Sequence, residues 1–412
     1  MHCLAALCSR LLMLNRCRPS HLQQDQIMLD IEKYKEIAGV AFTADARNSN
    51  APQGSYYTDP EIHDLELKKV FGYEWNYFCH QSQVPNAGDY KTGEVGGHAV
   101  YVIRGKDGDI RAFYNVCQHR GHELLQDAQG NARVVVCPYH AWTYDAEGNL
   151  RGAPKMKEVE GFDRSKVKLC QVRCEIVGGF VFLNFSDDAP AFREMCPEFE
   201  PIITSMVAEV DKLQFVKQKN YDIKANWKIV TENFLEAYHV EFSGEAHQAL
   251  GEIIDIETYR FNISGRTIEY TAGGGADDVL PYDKNAEDAF TNTKNAPFHQ
   301  CFLFPHMTFS IFPGTNMMFV FNMRPNGPER TAEEIIYFTL DGSFSDPTET
   351  AEEYVSDSLN PEDISLVEAV HRGLKSKGYQ PGRLMVDPEM KEAWGEQFVH
   401  HFNTLNLAAL TR

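Results

Sequence analysis

The 412-residue sequence has no apolar run approaching the roughly 18 residues of a membrane span. It is short of basic residues: 39 lysines and arginines against 59 acids leave a formal charge of -20. That balance argues against nucleic acid and anionic membranes as partners and suits a chain that docks a basic protein. Ten cysteines at irregular spacing in so long a chain exclude a disulfide scaffold. Four of them, Cys79, Cys117, Cys137 and Cys301, lie near histidine or in predicted strands, as suits a reducing compartment. Internal repeats and low-complexity tracts are absent. What is present is an ordinary globular composition, 43% hydrophobic and 24% charged, long enough for two or three domains.

The N-terminus stands apart. "MHCLAALCSRLLMLNRCRPSHLQQ" holds three arginines and no acid before Asp25, the pattern of an organellar transit peptide. The simpler reading is a poorly ordered extension over residues 1–50 of a cytoplasmic protein, with Met28 as a plausible start.

From residue 73 to 185 short alternating segments are separated by turn residues. "HAVYVIR", "KDGD" and "IRAFYNV" spell a hairpin around an Asp-Gly turn, and "CEIVGGFVFLNF" gives two more strands. This is a small all-β module. Beyond it the pattern is mixed. Trp227, Val230, Phe234 and Tyr238 share one face of a helix expected over 226–239. "FPHMTFSIFPGTNMMFVFNMRP" reads as two strands. "NPEDISLVEAVHRGLKSKG" reads as a helix capped by Asn360, with Pro361 in its first turn and Gly378 at its end. The helix in "SYYTDPEIHDLELKKVF" is assigned to the larger unit, so 51–72 and 186–412 form one domain with 73–185 inserted.

The β-module carries Cys117-x-His119 and, after seventeen residues, Cys137-x-x-His140. Two loops that each offer a thiolate and an imidazole suit a cluster with two sulfur and two nitrogen ligands. A zinc site is the competing reading, but zinc modules favour Cys-x2-4-Cys pairs. His122 is read as packing nearby, and Trp142 and Tyr144 as covering the cluster.

In the contexts "CQHRGHELL" and "CPYHAWTY" these halves resemble the Rieske domain of Rieske-type non-haem iron oxygenases, the ring-hydroxylating oxygenase α-subunits. The resemblance runs from about residue 50 onward and implies an α+β fold: a small all-β Rieske domain inserted in a helix-grip catalytic domain of antiparallel sheet plus helices. In that family a histidine follows an acid-x-x-His motif, which "EAYH" supplies as Glu236 and His239. The second histidine is implied five or six positions on, where Gly244 and Glu245 stand; His247 lies eight on. A break at Gly244 would return His247 to the metal, with Glu245 as the alternative ligand. The third implied ligand is a distant carboxylate, completing a facial triad that leaves positions open for dioxygen and substrate. Asp363 fits, because it shares the stripe of Val367, Val370 and Leu374 and a buried acid needs a partner; its ordinary alternative is to complement the helix dipole. Glu362 is expected to point elsewhere, and His400 and His401 to be structural.

The resemblance gives Glu236 a bridging role between the two centres, with direct iron ligation as the other reading. It implies a [2Fe-2S] cluster, a mononuclear Fe(II), O2 as co-substrate, NAD(P)H oxidised by a separate reductase, and a head-to-tail homotrimer. Glu at 236, with "ENFLEAYH", "FPHMTFSIFPG" and "VHHFNTLNLAAL", resembles the branch of carnitine monooxygenase and related quaternary-ammonium oxygenases. Two rivals are an aromatic-acid ring dioxygenase and a non-enzymatic Rieske carrier fused to an apolar ligand-binding domain.

Overall fold

The computed structural model describes residues 31–274, 298–312 and 315–412, and its framework is two seven-stranded antiparallel sheets. The first is ordered Asn76–His80, Phe180–Asn184, Gln171–Val177, Ile110–Tyr114, His98–Arg104, Asp89–Val95 and Gln129–Asn131. Its hairpins close where glycine permits positive φ: Gly96 and Gly97 (58° and 79°) join Val95 to His98, and Gly108 (90°) serves the expected Asp-Gly turn. A ribbon of Val135–Val136, Thr143–Tyr144 and Leu150–Gly152 packs on this sheet through Tyr144 and Leu150, against Tyr101 and Phe113.

The second sheet is ordered Gln214–Ile223, Thr331–Thr339, Met318–Pro325, Met307–Ile311, Phe298–Leu303, Thr267–Gly274 and Ile254–Ser264. Its central strands are buried on both faces, which is why they read as nearly unbroken apolar runs. Phe302, Phe319, Phe321 and Tyr337 share a core with helices Trp227–Leu235 and Gln397–Leu410. Met307, Phe309, Val320 and Ile336 share another with helix Phe199–Met206 and with Tyr77, Phe180 and Phe182 of the first sheet. Helices Gly54–Thr58 and Pro60–Glu66 precede the first sheet but bury Tyr56 and Tyr57 in the second unit's core, beside Trp227. The chain thus contributes to the second unit's core before it builds the first sheet.

Three sequence expectations need correction. Residues 31–50 are not a loose extension: helix Ile31–Ala38 buries Tyr34 and Ala38, and Phe42 stacks on His400 with ring centroids 4.9 Å apart. The transit-peptide and Met28 readings fall on 1–30, outside the described residues. The helix expected over 226–239 stops at Leu235, because Glu236 is extended (φ -117°, ψ 148°) and spends its carboxylate on the His239 backbone N–H. Asn360 is not an N-cap. A helix from Asp346 runs through a π turn, Tyr354–Leu359, straight into Asn360–Leu374, and the wide turn lies just ahead of Pro361, which has no N–H to give the ladder. The Asn360 side chain instead donates to Glu333 at 2.7 Å. Among the described residues no helix is long and apolar enough to cross a membrane.

Candidate metal centres

The two Cys/His loops are built alike. Cys117 N–H donates to His122 O and Gly121 N–H returns to Cys117 O; Cys137 N–H donates to Trp142 O and Ala141 N–H returns to Cys137 O. Each loop turns on a residue at positive φ, Gly121 at 71° and Ala141 at 56°. The result buries both cysteines and leaves His140 exposed, with the His119 and His140 rings 4.6 Å apart. Trp142 stacks on His119 at 4.7 Å, and the Tyr144 hydroxyl lies 3.4 Å from Cys117 Sγ. Both aromatics thus cover the site as expected, while His122 turns its Nδ1 to Glu123 O. Burial pushes the Cys117 thiol up, so its thiolate needs a positive partner. His119 Nδ1 is buried with no hydrogen-bond partner. Inner sulfurs, outer imidazoles and an orphaned ring nitrogen fit a [2Fe-2S] cluster held by two thiolates and two histidines.

The second centre is assembled from three helices. Trp227–Leu235 is anchored below by Lys228, fully buried against Glu66 at 2.5 Å, and by Glu232, which accepts from Tyr57 and Asn403. Where that helix ends, Glu236 and His239 follow in a turn. Helix Glu245–Ile253 begins after Gly244 and places His247 in its first turn, and Asp363 comes from Asn360–Leu374. Ligand atoms of His239, His247 and Asp363 all lie within 4.8 Å of one another. Asp363 Oδ1 is 3.0 Å from His247 Nε2 and 3.4 Å from His239 Nε2. Glu245 is exposed and stands outside the group.

Both imidazoles present Nε2 to the centre because a carboxylate holds each Nδ1: Glu236 on His239 at 2.5 Å, and Glu362 on His247 at 2.8 Å. An imidazole that donates Nδ1–H to a carboxylate is oriented, and made more basic, for metal at Nε2. The expectation that Glu362 points elsewhere is therefore wrong. Burial alone would lower the His239 pKa, yet Asp363 and Glu236 outweigh it and lift His239 to about 10; His247 is raised against burial in the same way. Asp363 is lowered although burial opposes its charge. A cluster that holds positive charge this firmly fits a divalent metal, and two neutral histidines with one carboxylate suit Fe(II). His400 and His401 lie apart from both centres, bonded to Thr43 O and Gly265 O.

The cluster opens into a cavity of about 130 Å³ between helices and sheet. Phe234, Tyr259, Phe298, Phe312, Phe319 and Trp394 line it, with Asn233, Gln300 and Ser310 as neutral polar groups. Among the described residues its lining includes Glu236 and Asp363 and no lysine or arginine. Asn233 went unnoticed in the sequence; its Nδ2 is 3.5 Å from His239 Nε2.

Comparison with known proteins matches residues 74–163 to the Rieske [2Fe-2S] domain and residues 210–411 to the ring hydroxylating alpha subunit (catalytic domain). The chain is 32% identical to the carnitine monooxygenase oxygenase subunit of Escherichia coli (strain K12), over 88% of this chain and 95% of that one. It is 30% identical to the chloroplastic choline monooxygenase of Arabidopsis thaliana, over 87% and 82%. A solved quaternary ammonium Rieske monooxygenase, described with carnitine oxidation and inter-subunit electron transfer, superposes with a TM-score of 0.80 at 29% identity, covering 89% of this chain and 97% of that one.

Proposed function

Because the chain belongs to the Rieske-type non-haem iron oxygenases, and is thus an oxygenase and not a bare electron carrier, we propose that it hydroxylates a small quaternary-ammonium or N-methyl compound as the oxygenase component of a multicomponent monooxygenase. The carrying observation is the aromatic cavity beside the His239, His247 and Asp363 cluster, whose described lining has carboxylates and no lysine or arginine. Aromatic faces and negative charge attract an ammonium group that cannot donate hydrogen bonds. The carnitine and choline activities of the relatives support the same class.

In this reading Cys117, His119, Cys137 and His140 hold the cluster, and His239, His247 and Asp363 hold the mononuclear iron. When bound, these groups supply single electrons and dioxygen activation. Electrons come from NAD(P)H through a separate reductase, for which the acidic surface is a docking field. The described cysteines outside the cluster are free thiols, which fits a reducing, cytoplasmic compartment. Glu236 is the bridge: it grips His239 Nδ1 and keeps partial exposure beside Tyr238 and Phe242, both exposed. Val134, Val136 and Tyr139 form a second exposed apolar patch at the Cys/His loops. Two different patches, one at each centre, suit a head-to-tail contact, which closes into a ring; a homotrimer is the proposed ring.

The test is reductase-coupled turnover on a small panel: carnitine, choline, betaine, a tertiary N-methylamine and an aromatic acid. Expected products are trimethylamine from C–N cleavage, formaldehyde from an N-methyl carbinolamine, or an oxidised alcohol carbon. Diol or phenol from the aromatic acid, with the ammonium compounds untouched, would overturn the substrate reading in favour of a ring dioxygenase.

A further inference from the structure

We propose that Glu362 is a positioning residue for the mononuclear centre, one that fixes both the ring and the helix of His247; this rests on the reading that His239, His247 and Asp363 hold the metal. Gly244 is the N-cap of helix Glu245–Ile253 and has no side chain with which to cap it. The capping group comes instead from a helix more than a hundred residues away in sequence. Glu362 accepts the Ala246 N–H at 3.1 Å and the His247 N–H at 3.2 Å, the two first-turn donors that a cap side chain ordinarily takes. The same carboxylate accepts from His247 Nδ1 at 2.8 Å, while its neighbour Asp363 meets Nε2 of that ring at 3.0 Å. Glu362 at Nδ1 selects the tautomer with Nδ1 protonated, which turns Nε2, on the Asp363 side of the ring, to a metal.

Gly244 makes room for this arrangement. A Cβ there would meet Glu362 carboxylate atoms at 2.3–2.6 Å, so a side chain at 244 would drive the carboxylate out. Tyr354, on the π turn of the same helical rod, donates its hydroxyl to Ala246 O at 2.6 Å and braces the helix from a second point. The position of His247 is therefore set by the rod that carries Asp363, and not by its chain distance from His239. An eight-residue separation is harmless when the second histidine is located in this way.

The test is anaerobic Fe(II) titration of full-length protein whose mononuclear site has been emptied by mild chelation, with the Rieske absorption as the internal folding control. Glu362→Ala should weaken Fe(II) binding by about 10- to 100-fold, as losing a carboxylate partner of a metal-bound histidine does. Gly244→Ala should do the same with Glu362 still present, and Glu362→Gln, which keeps an acceptor but not the charge, should fall between. Co(II) bound in Glu362→Ala should show an altered visible spectrum, a change that loss of stability alone would not produce. Wild-type Fe(II) affinity and Co(II) spectrum in Glu362→Gln and Gly244→Ala would overturn the inference, even where Glu362→Ala fails to fold. If the wild-type chain itself takes up no mononuclear metal, the ligand reading fails first, and that result is distinguishable from the other.

Discussion

Replacing Glu236 separates holding iron from using it. Its carboxylate accepts from His239 Nδ1 at 2.5 Å and from the His239 backbone N–H at 3.1 Å. A hydrogen bond to a charged group contributes about 1.5–3 kcal/mol, which is about 10- to 150-fold in an equilibrium constant. That range agrees with the roughly 10- to 100-fold loss of metal affinity seen when such partners are removed. Glu236→Ala should therefore bind Fe(II) more weakly by about that factor and refill when iron is in excess. Turnover should not follow. If Glu236 is also the link between neighbouring centres, reductase-coupled oxygen uptake stays depressed at full iron occupancy, with the Rieske absorption unchanged. The assay is iron content, visible spectrum and coupled uptake on one preparation, with Glu236→Gln as the conservative control. A fully iron-loaded Glu236→Ala variant that turns over at the wild-type rate would refute the bridge.

Burial pushes Glu232 up to about 7, with Tyr57 and Asn403 donors opposing the shift. An acid raised in the fold stabilises most fully below its ordinary pKa of 4.5, and that stability is lost as pH rises through about 7. The loss amounts to about 3 kcal/mol; Glu232→Gln should remove it, so the variant minus wild-type difference in urea unfolding should grow between pH 5 and 8. A flat difference would place the Glu232 pKa near its ordinary value. Lys228→Met strands the Glu66 carboxylate that Lys228, Trp227 and Asn406 now satisfy, at a cost of about 3–5 kcal/mol. Adding Glu66→Leu should recover most of it, and strict additivity in that cycle would show that the pair is not coupled. Phe242→Asp, at a residue 71% exposed, should give monomers with unchanged iron content by sedimentation, and an unaltered oligomer would remove this patch from the interface.

The chemistry was legible wherever ligand and context are local in sequence. Cys117, His119, Cys137 and His140 sit on tight loops, so spacing alone announced a shared site, and the alternation in 98–104 and 110–114 announced its hairpin. The legible parts of the second centre were the residue types and the burial of Val367 and Leu374 on the Asp363 helix, whereas Val370 of the expected stripe is 49% exposed. Its geometry was not legible, because it depends on contacts across 116 positions: His247 to Asp363, and Ala246 to Glu362. Propensity carried the expected helix past Leu235, whereas the Glu236 carboxylate ends it by competing for the His239 N–H. Pro361 and Asn360 looked like a helix start because a π turn that admits proline inside a helix leaves no mark in the pattern. The Tyr34 and Ala38 spacing of the first described helix was visible but was masked by the basic segment before it.

Iron and acid-labile sulfide counted together in the purified chain, alongside Asp363→Ala, test the two-centre reading most directly. About three irons and two sulfides per chain are expected, falling to about two irons with sulfide and Rieske absorption unchanged in the variant. Two irons in the wild-type chain under excess Fe(II), or three retained after Asp363→Ala, would contradict it.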